Sequence, residues 1–245
     1  MGSEMITAVA PLLSGPRSVA AKVHSVDLTG PDGRLEAVVN EGNPDAPFSA
    51  LVCHPHPLGG GTLHNKVVYY AMKALNAPEW GLGWPVLRFN FRGAGLSAGV
   101  HDGSAETEDV QAAIDWLDNI YGRPVVVVGF SFGAAMSLKA VCDRAAAGIS
   151  SVRAIAALGL PTTVEGRAYH YAFLKNCNVA KLFLSGDRDQ FAPTPALAKV
   201  VDAVSDPRKL VFVPSADHFF TGRLEPMQSA LAAWLKEQVL REHVI

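Results

Sequence analysis

The stretch Arg123-Pro-Val-Val-Val-Val-Gly-Phe-Ser131-Phe-Gly-Ala-Ala-Met136 constrains this chain more than any other. Four consecutive valines have no polar face, which suits a strand buried on both sides in a parallel sheet with helices on each face. After the Gly-Phe-Ser-Phe-Gly turn, Ala134, Ala135, Leu138, Val141, Cys142 and Ala145 recur at helical spacing. The pattern is strand, Gly-x-Ser-x-Gly, helix. A sharp turn of that kind lifts a serine hydroxyl above the sheet edge, where a neighbouring base can activate it. Gly129 and Gly133 flank the turn where side chains would collide, and the Phe132 N–H at the helix start would face a developing oxyanion. A chance Gly-x-Ser-x-Gly arises in roughly one chain in ten of this length. The flanking strand and helix, and the partners below, give the motif its weight.

Strands alternate with helices from residue 48 onward, so a doubly wound, mostly parallel α/β sheet is expected. Before it, segments 23–28 and 35–39 flank the turn Gly30-Pro-Asp-Gly33, predicting an antiparallel N-terminal edge hairpin. Residues 1–21 show no clear period and are expected to form a loose arm, with 22–245 a single domain. The loops at 54–61, 92–99, 185–191 and 214–220, and Ser131 itself, all follow predicted strands. They should gather at the carboxyl rim of the sheet, where sites form in such folds. Arg92 is expected to brace the glycine-rich loop beneath that rim.

A net charge of −2 with no basic run argues against a nucleic-acid partner. No apolar stretch reaches the ~20 residues needed to span a membrane. The mildly apolar 6–13 stretch has no Lys or Arg before it and does not read as a signal peptide. Met1-Gly2-Ser3 fits a cloning remnant, with Met5 an alternative natural start. Cys53, Cys142 and Cys177 are odd in number and unpatterned. They are expected as unpaired, small core residues in a reducing compartment, and the chain as cytoplasmic. The sequence sets no oligomeric state.

Ser131 needs a base. Of the eight histidines, His218 is the best placed, in a short loop after the last strand. The base needs a carboxylate to fix its tautomer and stabilise its cation. Asp187 and Asp189 both follow the preceding strand; Asp189 is preferred, because Asp187 lies nearer the strand end and could cap the loop. Asp217, beside His218, should point away from it. The chain order Ser131, Asp189, His218 is the order expected of this strand–turn–helix fold. A metal reading of His54-x-His56 would need a third ligand such as His64 or His101, and nothing in their spacing requires one. No metal or cofactor is expected.

With those residues in view, the chain resembles the α/β-hydrolase superfamily from about residue 22 onward. It looks most like small bacterial serine hydrolases related to dienelactone hydrolases. The matching stretches are Gly33-Arg-Leu-Glu36, His54-Pro-His-Pro-Leu-Gly-Gly-Gly61, Asn65-Lys-Val-Val68, Arg88-Phe-Asn-Phe-Arg-Gly93 and Gly129-Phe-Ser-Phe-Gly133. The resemblance implies a serine hydrolase and places the acid at Asp189, in Gly186-x-x-Asp189. In that superfamily a His-Gly-x stretch supplies the second oxyanion donor. Here His54-Pro-His56 takes its place, and proline has no N–H. His56 is therefore the expected donor beside Phe132, with Leu58 second.

The expected activity is that of a serine carboxylesterase: hydrolysis of a small-molecule ester through an acyl-enzyme on Ser131. Residues 161–178, where this superfamily often inserts a lid, are few, so little or no cap and an open site for short acyl chains are expected. Phe132, Tyr169, Phe191 and Phe219 are candidates to line an acyl pocket. The same triad would serve amide, thioester or lactone cleavage. The remaining reading is a non-catalytic binding protein of this fold, though such proteins usually lack a triad member.

Overall fold

The valine run forms β5 (Val125–Phe130), every residue of which is buried. In the computed structural model, which describes residues 22–149 and 151–237, β5 lies inside one eight-stranded sheet. The other strands are β1 (Val23–Gly30), β2 (Gly33–Asn40), β3 (Ser49–Cys53), β4 (Val86–Phe89), β6 (Val152–Leu158), β7 (Ala180–Gly186) and β8 (Arg208–Val213). Their order is β1-β2-β4-β3-β5-β6-β7-β8. The β1–β2 and β2–β4 pairs are antiparallel, and every other pair is parallel. The expected edge hairpin and doubly wound sheet are thus present. The expected arm at 1–21 lies outside the described residues.

Alternation along the valines builds the two cores. Val125 and Val127 face a layer containing Ile114 and Leu117 of α2 (Glu106–Tyr121), Leu138 and Val141 of α3 (Phe132–Ala146), and Leu197 of α4 (Thr194–Asp202). Val126 and Val128 face the other layer, with Val67 and Leu75 of α1 (Lys66–Asn76) and Met227, Leu231 and Trp234 of α5 (Leu224–Leu235). A strand with no polar face needs helices on both sides, and here it has them. Among the described residues no helix is long and apolar enough to cross a membrane.

The stretch from Arg88 to Gly93 ties the antiparallel edge to the parallel body. Arg88 donates to Leu63 O and to Asn40 Oδ1, both at 3.0 Å. Asn90 accepts from Leu63 N–H at 2.7 Å and donates to Glu36 Oε2 at 2.6 Å. A Cβ on Gly95 would fall 2.2 Å from Asn90 Nδ2 and 2.4 Å from Glu36 Oε2, so only glycine fits that turn. Arg92 is buried and meets three carboxylates: Asp109 at 2.8 Å, Asp32 at 3.0 Å and Glu108 at 3.2 Å. The expected brace is therefore an ion cluster joining the hairpin turn, the glycine-rich loop and the start of α2.

The cysteine expectation is corrected: Cys142 and Cys177 are disulfide-bonded, with Cα atoms 5.2 Å apart. Cys142 rides on α3, and Cys177 follows the short 3-10 turn Ala172–Asn176, whose Leu174 packs into the same core as Val141. Tertiary packing brings together residues 35 apart in sequence, a pairing that no local spacing signals. The expectation of a reducing compartment loses that support. Cys53 alone stays free, and burial pushes its thiol up to about 12.

Arg92→Met should strand the fully buried Asp109 carboxylate without its counter-ion. Breaking one side of a buried pair typically costs roughly 3–5 kcal/mol. Urea denaturation should report a loss of that order, largely recovered in Arg92→Met/Asp109→Leu. A loss below about 1 kcal/mol in the single variant would show that the cluster is dispensable.

Candidate active site

Between β5 and α3 the chain turns at a single residue. Ser131 has φ 56° and ψ −118°, a conformation side chains rarely adopt. Such backbone costs of order 1–3 kcal/mol and persists only when the surroundings fix it. Here Ser131 N–H donates to Leu158 O at 2.9 Å, and Ser131 O accepts from Ala134 and Ala135 N–H at 3.0 and 3.2 Å. Both motif glycines are steric necessities. A Cβ on Gly133 would lie 2.4 Å from His54 O, and one on Gly129 would lie 2.4 Å from Gly133 O. The helix start and two strand ends are pressed together, which leaves the Ser131 side chain as the group projecting from the turn.

The loops after β7 and β8 bring the expected partners to it. His218 Nε2 lies 3.0 Å from Ser131 Oγ, and its Nδ1 lies 2.9 and 3.0 Å from the two Asp189 oxygens. Asp189 Oδ1 also accepts from Phe191 N–H at 2.8 Å and Ala192 N–H at 3.0 Å, and Oδ2 accepts from Ser185 Oγ at 3.0 Å. The carboxylate is thus held on every side and buried with His218. The imidazole sits against Phe130, Phe191 and Phe219 at 5.0, 4.7 and 5.1 Å. Gly159, at φ 54°, leaves room for it: a Cβ there would meet His218 Cε1 at 3.1 Å. Asp187 is exposed, and Asp217 accepts from Phe219 and Thr221 N–H at 3.0 and 2.9 Å, so neither competes for His218.

The loop after β3 closes the other side. His54 is fully buried; its Nδ1 donates to Pro55 O at 2.6 Å and its Nε2 accepts from Phe91 N–H at 3.0 Å. His56 Nδ1 accepts from Leu58 N–H at 3.2 Å. That bond spends the Leu58 donor within its own loop and leaves the His56 N–H as the better candidate. Among the described residues, neither His56 N–H nor Phe132 N–H donates to another group of the chain. The His56 ring packs on the Phe132 ring at 5.0 Å, and His101 packs against both, at 4.6 and 5.4 Å. His101 Nδ1 in turn lies 2.5 Å from the buried Glu106 carboxylate. The His56 and His101 rings meet edge-on, and among the described residues no three His, Cys, Asp or Glu side chains converge as a metal site.

The model of the family described as "Alpha/beta hydrolase domain" matches residues 59–239. The chain belongs to the α/β-hydrolase family. A Rickettsia prowazekii protein of uncharacterised function is 34% identical over 217 residues, 85% of this chain and 87% of its own length. Among solved structures, a Xanthomonas campestris a/b serine hydrolase described as lacking a lid is 32% identical, with a TM-score of 0.76 over 88% of this chain and 94% of its own. An alpha-beta serine hydrolase homologue from Coxiella burnetii is likewise 32% identical, with a TM-score of 0.76 over 86% of this chain and 97% of its own.

In this hydrolase the segment 161–178 lies along α3 without forming a cap domain, and a cavity of about 410 Å³ opens between them. Tyr169 lines it, together with Ala135, Met136 and Arg167. Of the other aromatic candidates for an acyl pocket, Phe132 is wholly buried in the core, Phe191 half-buried and Phe219 exposed. Phe132 therefore supports the site from beneath instead of lining it. Sequence reasoning placed Ser185 only as part of the 185–191 loop at the rim, and it placed neither Glu106 nor Arg167 here; Ser185 lies at the end of β7, and the other two carried no positional signal.

Burial lowers the His54 imidazole to about 4. Burial, then Arg167 and His101, lowers His56 to about 4 as well. The unfolded chain, with histidines near 6.5, takes up protons that the folded hydrolase refuses between those values. Stability should therefore fall as pH drops from about 6.5 to about 4. His54 alone should contribute on the order of 2–3 kcal/mol, and the partly exposed His56 less. Denaturation at pH 7 and pH 4.5 should show the loss, and His54→Gln should flatten it. An unchanged slope in that variant would remove His54 as the source.

Proposed function

We propose that this α/β-hydrolase cleaves small carboxylic esters through an acyl-enzyme on Ser131. The observation that carries the reading is the continuous chain from Ser131 Oγ through His218 to Asp189, with contacts of 3.0 and 2.9 Å. Ser131 Oγ attacks the ester carbonyl while His218 Nε2 takes its proton. Asp189 holds the Nδ1–H tautomer and stabilises the imidazolium. The His56 and Phe132 N–H groups, which donate to no other group among the described residues, receive the oxyanion. His218 then returns the proton to the leaving alcohol. Water, deprotonated by the same imidazole, releases the acid and restores Ser131.

The short 161–178 segment supports an open site that favours short acyl chains. The lidless description of the Xanthomonas campestris relative is in keeping with that. No cofactor enters the reaction. A cytoplasmic location is part of the proposal, although the Cys142–Cys177 pairing speaks for an oxidising one. Finding the two thiols reduced in intact cells would support the first.

p-Nitrophenyl acetate and butyrate should be hydrolysed, with activity falling along the series to long chains. Ser131→Ala should abolish turnover and labelling by a fluorophosphonate. Asp189→Asn, which leaves the imidazole in the wrong tautomer, should lower kcat roughly 10³- to 10⁴-fold. Wild-type activity in Ser131→Ala would overturn the nucleophile, and a preference for long acyl chains would overturn the open site. Fluorophosphonate labelling without ester turnover would move the proposal to amides, thioesters or lactones. Absence of both would favour a binding protein.

A further inference from the structure

Arg167 stands in the short segment between β6 and β7, at the end of a tight turn. Its N–H donates to Val164 O at 3.2 Å, and Gly166 supplies the positive φ of 72°. The guanidinium lies over the Phe132 ring at 5.2 Å and near the Tyr169 ring at 5.8 Å, and it donates to Tyr169 Oη at 3.5 Å. It also crowds Gly103, where an added Cβ would meet it at 2.5 Å. Three surfaces therefore fix its place beside the residue that follows Ser131. Yet among the described residues no carboxylate comes within 4 Å of it. Arg92, Arg144 and Arg208 all have such partners.

The same guanidinium lines the cavity of about 410 Å³ alongside α3. No Asp or Glu lines that cavity, and Lys139 at its edge is already held by Asp143. Tyr169 and Tyr171 line another part of it as stacked rings 6.1 Å apart, inclined by 7°. Ala135 and Met136, in the first turns of α3 after Ser131, also line it. A guanidinium is charged at every working pH and presents a planar fork of donors that matches a carboxylate. One permanently charged group, beside a Lys139 already paired to Asp143 and the imidazole of His170, suits a singly charged carboxylate better than a phosphate dianion.

We propose that Arg167 and this cavity form a subsite for a carboxylate carried on a planar or aromatic part of the ester, which makes the hydrolase selective for anionic esters. The proposal rests on the ester-hydrolase reading above, since the carboxylate belongs to the molecule that reaches Ser131. Arg167 acts there as a specificity-determining residue. The plainer role for it is a cation packed on aromatic rings, holding Phe132 in place. That role would make Arg167 matter equally for charged and neutral substrates.

Matched ester pairs separate the two roles. 3-Acetoxybenzoate and 3-acetoxybenzamide place the charge on the alcohol side; monomethyl isophthalate and methyl 3-carbamoylbenzoate place it on the acyl side. In at least one pair the wild type should favour the anion in kcat/KM by roughly 10- to 100-fold, the worth of a charge-assisted hydrogen-bond pair. The gain should lie mainly in KM. Arg167→Gln should bring the ratio close to one, and Arg167→Lys should keep part of it. A wild-type ratio near one in both pairs, or a ratio that Arg167→Gln leaves intact, would overturn the subsite.

Calorimetric titration of Ser131→Ala with 3-carbamoylbenzoate and isophthalamide gives a reading independent of turnover. 3-Carbamoylbenzoate alone should bind, and Arg167→Gln should abolish that binding. Selective binding without turnover of any ester would sink the hydrolase reading and keep the subsite. Turnover without anion selectivity would do the reverse.

Discussion

The strained backbone of Ser131 is the constraint around which this fold is arranged. A serine at φ 56° is stable only if its neighbours leave no alternative, and they are drawn in tightly to do so. Gly133 lies so close to the end of β3 that no Cβ fits, and Gly129 lies equally close to the first turn of α3. The bond from Ser131 N–H to Leu158 O ties the turn to β6 as well. Four segments thus converge on one residue, and the buried valines of β5 anchor the whole from both faces. The strain is the cost of a projecting, half-buried hydroxyl held at a fixed angle to the rim.

Much of this was legible in the chain. Four valines ahead of Gly-Phe-Ser-Phe-Gly imply a doubly covered strand, and the structure covers it with helices on both sides. The separate placements of Asp187, Asp189 and Asp217 also followed from position. A carboxylate at a strand end turns outward, one two residues on can reach the next loop, and one beside the histidine faces away. His218 and Asp189 are spaced by loops whose lengths the strand pattern already limits. Local periodicity and chain order suffice for these features.

What stayed illegible depends on packing between elements distant in sequence. The Cys142–Cys177 bond joins a helix to an irregular segment whose path no periodicity describes. Glu106, in the first turn of α2, is fully buried, accepts the Gly103 N–H at 3.0 Å and lies 2.5 Å from His101 Nδ1. Phe132 looked like a pocket wall and is a core residue. The shared motifs Gly33-Arg-Leu-Glu36 and Arg88-Phe-Asn-Phe-Arg-Gly93 turn out to fasten the hairpin to the sheet through Glu36, Asn90 and Arg92. A resemblance locates such residues without revealing whether they do chemistry or carpentry.

The distribution of charge follows from the same packing. Several acids near the rim have internal partners: Asp32, Glu108 and Asp109 meet Arg92, Glu106 accepts from Gly103 N–H, and Asp189 lies against His218. For the buried Glu106, Asp109 and Asp189, a carboxylate without a partner would be costly. Among the described residues no carboxylate lies within 4 Å of Arg167, which stands on aromatic faces. Its charge also opposes protonation of His56, so the proposed oxyanion loop stays neutral in its side chains while lying in a positive field. A positive field there favours an oxyanion and an anionic substrate alike. With no cap domain among the described residues, the selection proposed for Arg167 needs no moving part.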